Sequence, residues 1–347
     1  MMGGSAKEVH YYVHGRGRGH ATRALSVIPA LEGAGYRLRV FAGEAALPVM
    51  RQHTRCGPIH SLMPGEVLST VPKLIQRSLW ACTRGLRRAP LAVISDGDLP
   101  SSIASSLVRV PVIAIGHGLV FSHCRPPPGV DAGAWTREAR KAARASHGSV
   151  CQVPVSFCAL PTMGGSILLS RHALAVPRRR KRRRGGIVCY FRDGNGGHVL
   201  GALRACGVTP VLFAPVDPQL PGVQFERLNR GRFLEAVAEA DAVVSSAGHQ
   251  LISETLELGV PHLALYAAGD DEQKLNVEML RAARLGDGAA LEGVDRAQVL
   301  HFLGHLPELA QLRAEYIAVH QLPTLEGVVV DLVRDLERSA APANEVP

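Results

Sequence analysis

The chain has 347 residues, 46% of them hydrophobic and 20% charged, the make-up of about two folded domains and not of a disordered chain. Its formal net charge of +9 invites a nucleic-acid partner, but Arg178, Arg179, Arg180, Lys181, Arg182, Arg183 and Arg184 form one run of seven cations, and 9 − 7 = +2 remains for everything else. No broad basic face follows, and no aromatic residue interleaves with the run to stack on bases, so no nucleic acid is expected. The seven cysteines are odd in number and show no C-x-x-C spacing, and Met1–Val9 has no apolar leader-like stretch. Free thiols and a cytoplasmic location are the plain expectation. The uncharged stretch from Gly148 to Ser170 is broken by Pro154, Pro161, Gly164 and Gly165, which argues against a membrane span.

In chain order, Val9–Val13 is a short β-rich run ending in glycines, and Thr22–Leu31 has helical apolar spacing and stops at Gly33. Tyr36–Phe41 alternates as a strand. Leu91–Ile94 and Val110–Ile115 are β-branched runs of the kind buried in parallel sheets, and Ala132–Ala145 reads as a helix. The pattern restarts after the arginine run. Ile187–Phe191 is a strand, a glycine loop follows, and a helix runs to Cys206. Then come a strand at Pro210–Phe213, a helix at Phe233–Ala240, a strand at Ala242–Ser245, a helix at Ile252–Leu258 and a strand at Pro261–Tyr266. Strands alternating with helices imply βαβ units and parallel sheets. The expected domains are residues 1–170 and 187–338, joined by a basic linker over 171–186 and followed by a disordered tail over 339–347.

Two segments carry chemistry. The first is Gly15-Arg16-Gly17-Arg18-Gly19-His20-Ala21-Thr22-Arg23, between the first strand and the first helix. Glycines allow a tight turn and close backbone approach, and a helix N-terminus favours negative charge. His20 on that turn is a candidate general base, with a loop-capping histidine as the alternative. The second is Ser245-Ser246-Ala247-Gly248-His249-Gln250, running into Ser253-Glu254 and Gly259-Val260-Pro261, with Gln273 and Asn276 beyond the next strand. Small residues opening a helix leave backbone N–H groups for a phosphate. Glu254, one to two turns on, can accept two ribose hydroxyls, and Gln273 and Asn276 share a helix face with amides suited to sugar hydroxyls.

The G-x-G-H-x-x-R pattern at Gly17, Gly19, His20 and Arg23 resembles the N-terminal loop of GT-B glycosyltransferases related to MurG, and that of the UDP-sugar hydrolase of pseudaminic acid synthesis. The second segment is similar to the nucleotide-sugar signature of the GT-B enzymes, about forty residues in the same order. Ala247 departs from it at the first glycine of the usual pair, and His249 and Gln250 replace smaller residues. The resemblance implies an α/β protein of GT-B type, with two Rossmann-like parallel-sheet domains facing across a cleft. It implies an inverting, metal-independent glycosyltransferase with no cofactor, moving a sugar from a nucleotide donor, UDP first, to an unidentified acceptor (a glycan, a lipid-linked or a small molecule).

His20 is then the base. Asp96, at the end of a strand, orients His20 or His117, and His117 either meets the acceptor or is structural. The donor is assigned to Gly17, Gly19, Gly196, Ser245, Ser246, Gly248, His249, Glu254, Gln273 and Asn276. Asp193–His198 supplies a second glycine loop at Gly196. Asp96-Gly97-Asp98 has metal-binding D-x-D spacing but no donor motif around it. A nucleotide-sugar hydrolase and a non-catalytic nucleotide-sugar binder remain as alternatives. The arginine run is a solvated linker or a contact to an anionic membrane surface.

Overall fold

The computed structural model describes residues 7–16, 19–62, 67–85, 89–172, 186–192 and 196–340, with backbone only at 67–70 and 84–85. Gly17, Asp193–Asn195 and the run Arg178–Arg184 lie outside the described residues.

The first sheet has six parallel strands: β1 (Glu8–Val13), β2 (Arg37–Gly43), β3 (Cys56–Ile59), β4 (Ala92–Asp96), β5 (Val112–Gly116) and β6 (Cys151–Pro154), in the spatial order β3-β2-β1-β4-β5-β6. Its helices are α1 (Gly19–Gly33), α2 (Ala46–Arg51), α3 (Val67–Trp80), α4 (Leu99–Leu107), α5 (Leu119–His123) and α6 (Ala132–Ala145). The second sheet contains β7 (Ile187–Tyr190), β8 (Pro210–Ala214), β9 (Gln224–Arg227), β10 (Ala242–Ser246), β11 (His262–Tyr266) and β12 (Asp287–Ala290), ordered β12-β11-β10-β7-β8-β9. Its helices are α7 (Gly197–Ala205), α8 (Arg230–Glu239), α9 (His249–Glu257), α10 (Asp271–Ala282), α11 (Arg296–Gly304) and α12 (Leu306–Val319). Read from its own first strand, each sheet has the order 3-2-1-4-5-6. Two doubly wound, Rossmann-like domains result, each with its strand order reversing beside the first strand.

Pleating divides the core. Val9, Tyr11 and Val13 of β1 face one side of the sheet, while Tyr12 faces the other with Phe41, Val93 and Val112. The side of Tyr11 is covered by α1 and by a last helix, α13 (Leu325–Ala340), whose Leu325, Val328, Val329, Val330 and Val333 are buried among first-domain residues. This departs from the expected boundary at 338. The chain leaves the first domain at Arg171 and returns beside it: Arg171 N donates to Pro323 O and Leu325 N to Arg171 O, each at 2.9 Å. An apolar stripe at 328–330 and 333 needs a partner face, and the sheet behind α1 supplies it. Arg171 and His172, expected in a solvated linker, are packed, with His172 buried. Ser339 and Ala340, expected in the tail, end α13.

The two domains share one apolar cluster, in which Phe121, Trp135 and Phe157 of the first meet Ile252, Leu275 and Leu280 of the second. At its rim Arg137 grips Asp271 at 2.7 and 3.0 Å, and Lys274 reaches Asp131 at 2.6 Å. Among the described residues no helix is long and apolar enough to cross a membrane.

If α13 is part of the first-domain core, Val329→Ala should cost about 2 kcal/mol of that domain's stability in urea unfolding, as two buried methyl-sized groups are lost. A loss below about 0.5 kcal/mol would mean the helix is only laid on the surface.

Candidate functional site

In open parallel sheets, ligands bind where the strand order reverses, beyond the C-terminal strand ends. In the first domain that point lies between β1 and β4, and His20 follows one strand while Asp96 ends the other. His20 was expected in a turn. It is the second residue of α1, which starts at Gly19. Three residues on, the same helix face carries Arg23, and both side chains converge on Asp96. His20 Nδ1 lies 2.7 Å from Asp96 Oδ1. Arg23 donates from Nε to Oδ2 at 2.9 Å and from Nη2 to Oδ1 at 2.6 Å.

Asp96 has no exposed surface. Burial raises its carboxyl pKa, but Arg23 and then His20 outweigh that and hold it down to about 2. The carboxylate is thus charged, fixed, and saturated by two basic side chains. Arg23 Nη2 also lies 3.1 Å from His20 Nδ1, but that nitrogen already serves Asp96. Nδ1 therefore carries the hydrogen and Nε2 the lone pair. Gly97 follows with φ +79°, and a Cβ there would sit 3.3 Å from His20 Cε1. A glycine is needed for the backbone and for the space beside the ring. Asp98 caps α4 and accepts from Arg77 at 3.0 Å, so the D-x-D spacing serves structure on both sides of Gly97. Among the described residues no cluster of His, Cys, Asp and Glu could hold a metal ion.

Opposite stands the reversal point of the second domain, between β7 and β10. Gly248 caps α9 without a side-chain bond, so the first-turn N–H groups of that helix have no capping acceptor of their own. Across the cleft is the start of α1: a Cβ added to Gly19 would lie 3.7 Å from Gln250 Cβ. The first turns of two helices thus lie close together across the domain boundary, and a helix N-terminus favours an anion. Gly196 caps α7 nearby in sequence to β7. A Cβ there would enter the Phe191 ring at 2.1 Å, so this glycine is required for packing whatever else it does.

Glu254 is buried on α9 and is not open to solvent. Arg230 Nη1 donates to its Oε2 at 2.9 Å, Arg230 Nη2 donates to Oε1, and Gln250 Nε2 donates to Oε1 at 2.9 Å. Gln273 and Asn276 are buried on α10. Asn276 Nδ2 donates to Ala247 O at 3.0 Å, which fixes the amide, and its Oδ1 meets His117 Nε2 across the domain seam at 2.7 Å.

Three buried histidines mark that seam. His117 has Val155 O against Nδ1 at 3.1 Å and stacks on His249 with ring centroids 3.7 Å apart. Burial pushes its pKa down to about 4 against the bonds to Val155 and Asn276. His249 packs between His117 and Phe157, and among the described residues neither of its ring nitrogens has a hydrogen-bond partner. Burial, then His117, Arg23 and His172, lower its pKa well below the ordinary value, and burial first, then Arg23 and Arg230, takes His172 down to about 3.

His20 and Asp96 thus stand at the reversal point of the first sheet, Gly19 lies against the first turn of α9 that Gly248 opens, and Glu254, Gln273 and Asn276 are buried on α9 and α10, with His117 and His249 in the seam between the domains. Ser246 Oγ accepts from Arg192 N at 3.1 Å and ties the loop after β7 to the end of β10. Ser245 does not join them. It is fully buried, and its hydroxyl pairs with His262 at 2.8 Å inside the second domain, because its side of β10 faces the interior. Asp96 serves His20 and not His117. Sequence reasoning missed Arg230, which carries no motif, and His172; Arg23 figures there only as part of the G-x-G-H-x-x-R pattern, without a role.

Two doubly wound domains facing across such a cleft make the GT-B architecture, and known proteins agree. A family model described as glycosyl transferase family 1 matches residues 217–307, a span holding Arg230, Glu254, Gln273 and Asn276. No curated protein matches the chain. Among solved structures, MurG of Acinetobacter baumannii aligns with a TM-score of 0.68 at 17% identity over 95% of this chain and 99% of that one. The spinosyn forosaminyltransferase SpnP aligns at 0.67 and 15% over 96% and 100%, and the glycosyltransferase VinC in complex with dTDP at 0.62 and 16% over 95% and 100%. In fold the chain is of the GT-B type, and its 217–307 segment is similar to the glycosyl transferase family 1 model.

The seam should weaken in acid. A free imidazole titrates near 6.5 and buried His117 near 4, so between these values the unfolded chain binds a proton that the folded one does not. Stability should fall through that window, by up to roughly 3 kcal/mol from His117 alone. His117→Phe keeps the stacking and should show a shallower loss between pH 6.5 and 4.5 in urea unfolding. Equal losses would remove His117 from the titrating set.

Proposed function

We propose that this protein is an inverting, metal-independent glycosyltransferase that takes a sugar from a nucleoside diphosphate, UDP first, to an acceptor hydroxyl. The observation that carries the reading is the Asp96–His20 pair, locked by Arg23 at the reversal point of one sheet and facing the uncapped N-terminus of α9 in the other. In this reading the acceptor hydroxyl lies against His20 Nε2. Its oxygen attacks the anomeric carbon while its proton passes to Nε2, and Asp96 stabilises the imidazolium that forms. The anomeric C–O bond breaks, and its electron pair leaves with the diphosphate. The N–H groups and dipoles of α9 and α7 take up that charge in place of a cation. Glu254 receives the ribose hydroxyls and Gln273 the transferred sugar, while Asn276, held by Ala247 O and His117, can join only when its bond to His117 gives way. VinC, whose structure holds dTDP, makes that nucleotide the second to try after UDP.

His20→Ala should lower kcat by about 10²–10⁴-fold and leave the Kd for UDP within about twofold, because the nucleotide rests on the other domain. His20→Asn should behave alike, since an amide keeps the size and not the basicity. A folded variant with full turnover would place the base elsewhere, with His117 next to test. UDP should also raise Tm to the same degree with and without EDTA. Loss of that shift in EDTA would contradict the metal-independent assignment.

A further inference from the structure

Glu254 presents an unusual state for a group read as a ribose acceptor. It is 1% exposed, and three N–H groups cover both its oxygens, two from Arg230 and one from Gln250. No sugar hydroxyl reaches this carboxylate while Arg230 stays. Arg230 is the first residue of α8, in the loop after β9, and its side chain is 36% exposed. Its guanidinium can thus swing into water without loss of solvation, whereas the Glu254 carboxylate is buried and has no water to turn to. Two N–H donors about a fork's width apart match two carboxylate oxygens, as does a vicinal diol.

We propose that Arg230 is an internal stand-in for the ribose, a plug that keeps Glu254 paired when the cleft is empty and that the nucleotide must displace. This rests on the reading of Glu254 as the ribose acceptor. The physical reason for the plug is the cost of an unpaired buried carboxylate, which one of two partners must offset at all times. Binding is then an exchange in which two charge-assisted N–H donations give way to two O–H donations. The affinity for nucleotide is held down by the strength of the pair that it replaces, which makes Arg230 the residue that sets affinity at this site without touching the bound ligand.

The test is the Kd for UDP, and for dTDP whose deoxyribose offers only one hydroxyl and should gain less, by calorimetry, in the wild type, Arg230→Ala and Arg230→Lys, and in the same series carrying Glu254→Ala. Removing a competing charged hydrogen-bond pair should tighten UDP binding by about tenfold or more in Arg230→Ala, with Arg230→Lys intermediate because an ammonium makes a single contact. In the Glu254→Ala background the Arg230 substitutions should change the Kd less than about twofold, since the plug has nothing to occupy. The empty Arg230→Ala protein should also melt lower than wild type, and saturating UDP should restore much of the difference. UDP binding that is unchanged or weaker in both Arg230 variants would overturn the plug and make Arg230 a bystander or a direct contact, while leaving the nucleotide site standing. No binding of either nucleotide to any variant would overturn both the plug and the reading of the cleft.

Discussion

One buried carboxylate organises the cleft. Asp96 ends β4 with no solvent around it, and an ionised carboxylate in that position persists only if it is paired and hydrogen-bonded on both oxygens. Arg23 meets that requirement from α1 with two bonds, and His20 adds a third from the same helix. The cost of burying the charge thereby becomes a geometric constraint: the first turn of α1 must stand over the end of β4, and the imidazole is held through Nδ1. Gly97 then follows as a necessity, because the chain must turn at positive φ with no Cβ beside the ring.

The same logic, a buried polar group seeking a partner, explains the closed state of the other wall. Glu254 takes Arg230, and Asn276 takes His117. Each of these buried groups finds its partner within the protein, at hydrogen-bond distance. His249 is the exception. Its ring fills apolar space between His117 and Phe157, but its nitrogens are unmatched, a penalty of order 1–3 kcal/mol per group that a folded protein keeps only where packing or a ligand offsets it.

Much of this was legible in the sequence because the signals were local. Short, mostly apolar runs located the inner strands β1, β4, β5, β7, β10 and β11, since strands buried on both faces are largely apolar. The Gly15–Arg23 and Ser245–Pro261 segments located both reversal points. What the sequence concealed was non-local. Helix α13 has an ordinary amphipathic stripe, and nothing in Val328–Val333 says which domain it covers. Edge strands β3, β9 and β12 are short, and Asp287–Ala290 or Gln224–Arg227 carry little β signal. Ser245 and Ser246 are adjacent and chemically alike, yet pleating sends the first to His262 and the second to the loop after β7. Arg230 reaches Glu254 over 24 residues of sequence, a pairing that only the sheet order creates.

The account depends on which nitrogen of His20 carries the hydrogen. Asp96 Oδ1 at 2.7 Å asks for a hydrogen on Nδ1, whereas Arg23 Nη2 at 3.1 Å would ask Nδ1 for a lone pair. The most direct measurement is the ¹⁵N spectrum of histidine-labelled protein, with His20 assigned by comparison with His20→Asn. The account predicts the neutral tautomer with hydrogen on Nδ1 and an unprotonated Nε2 ready to accept a proton. A neutral His20 with its hydrogen on Nε2 would contradict it, because the nitrogen facing the acceptor would then have no lone pair to offer.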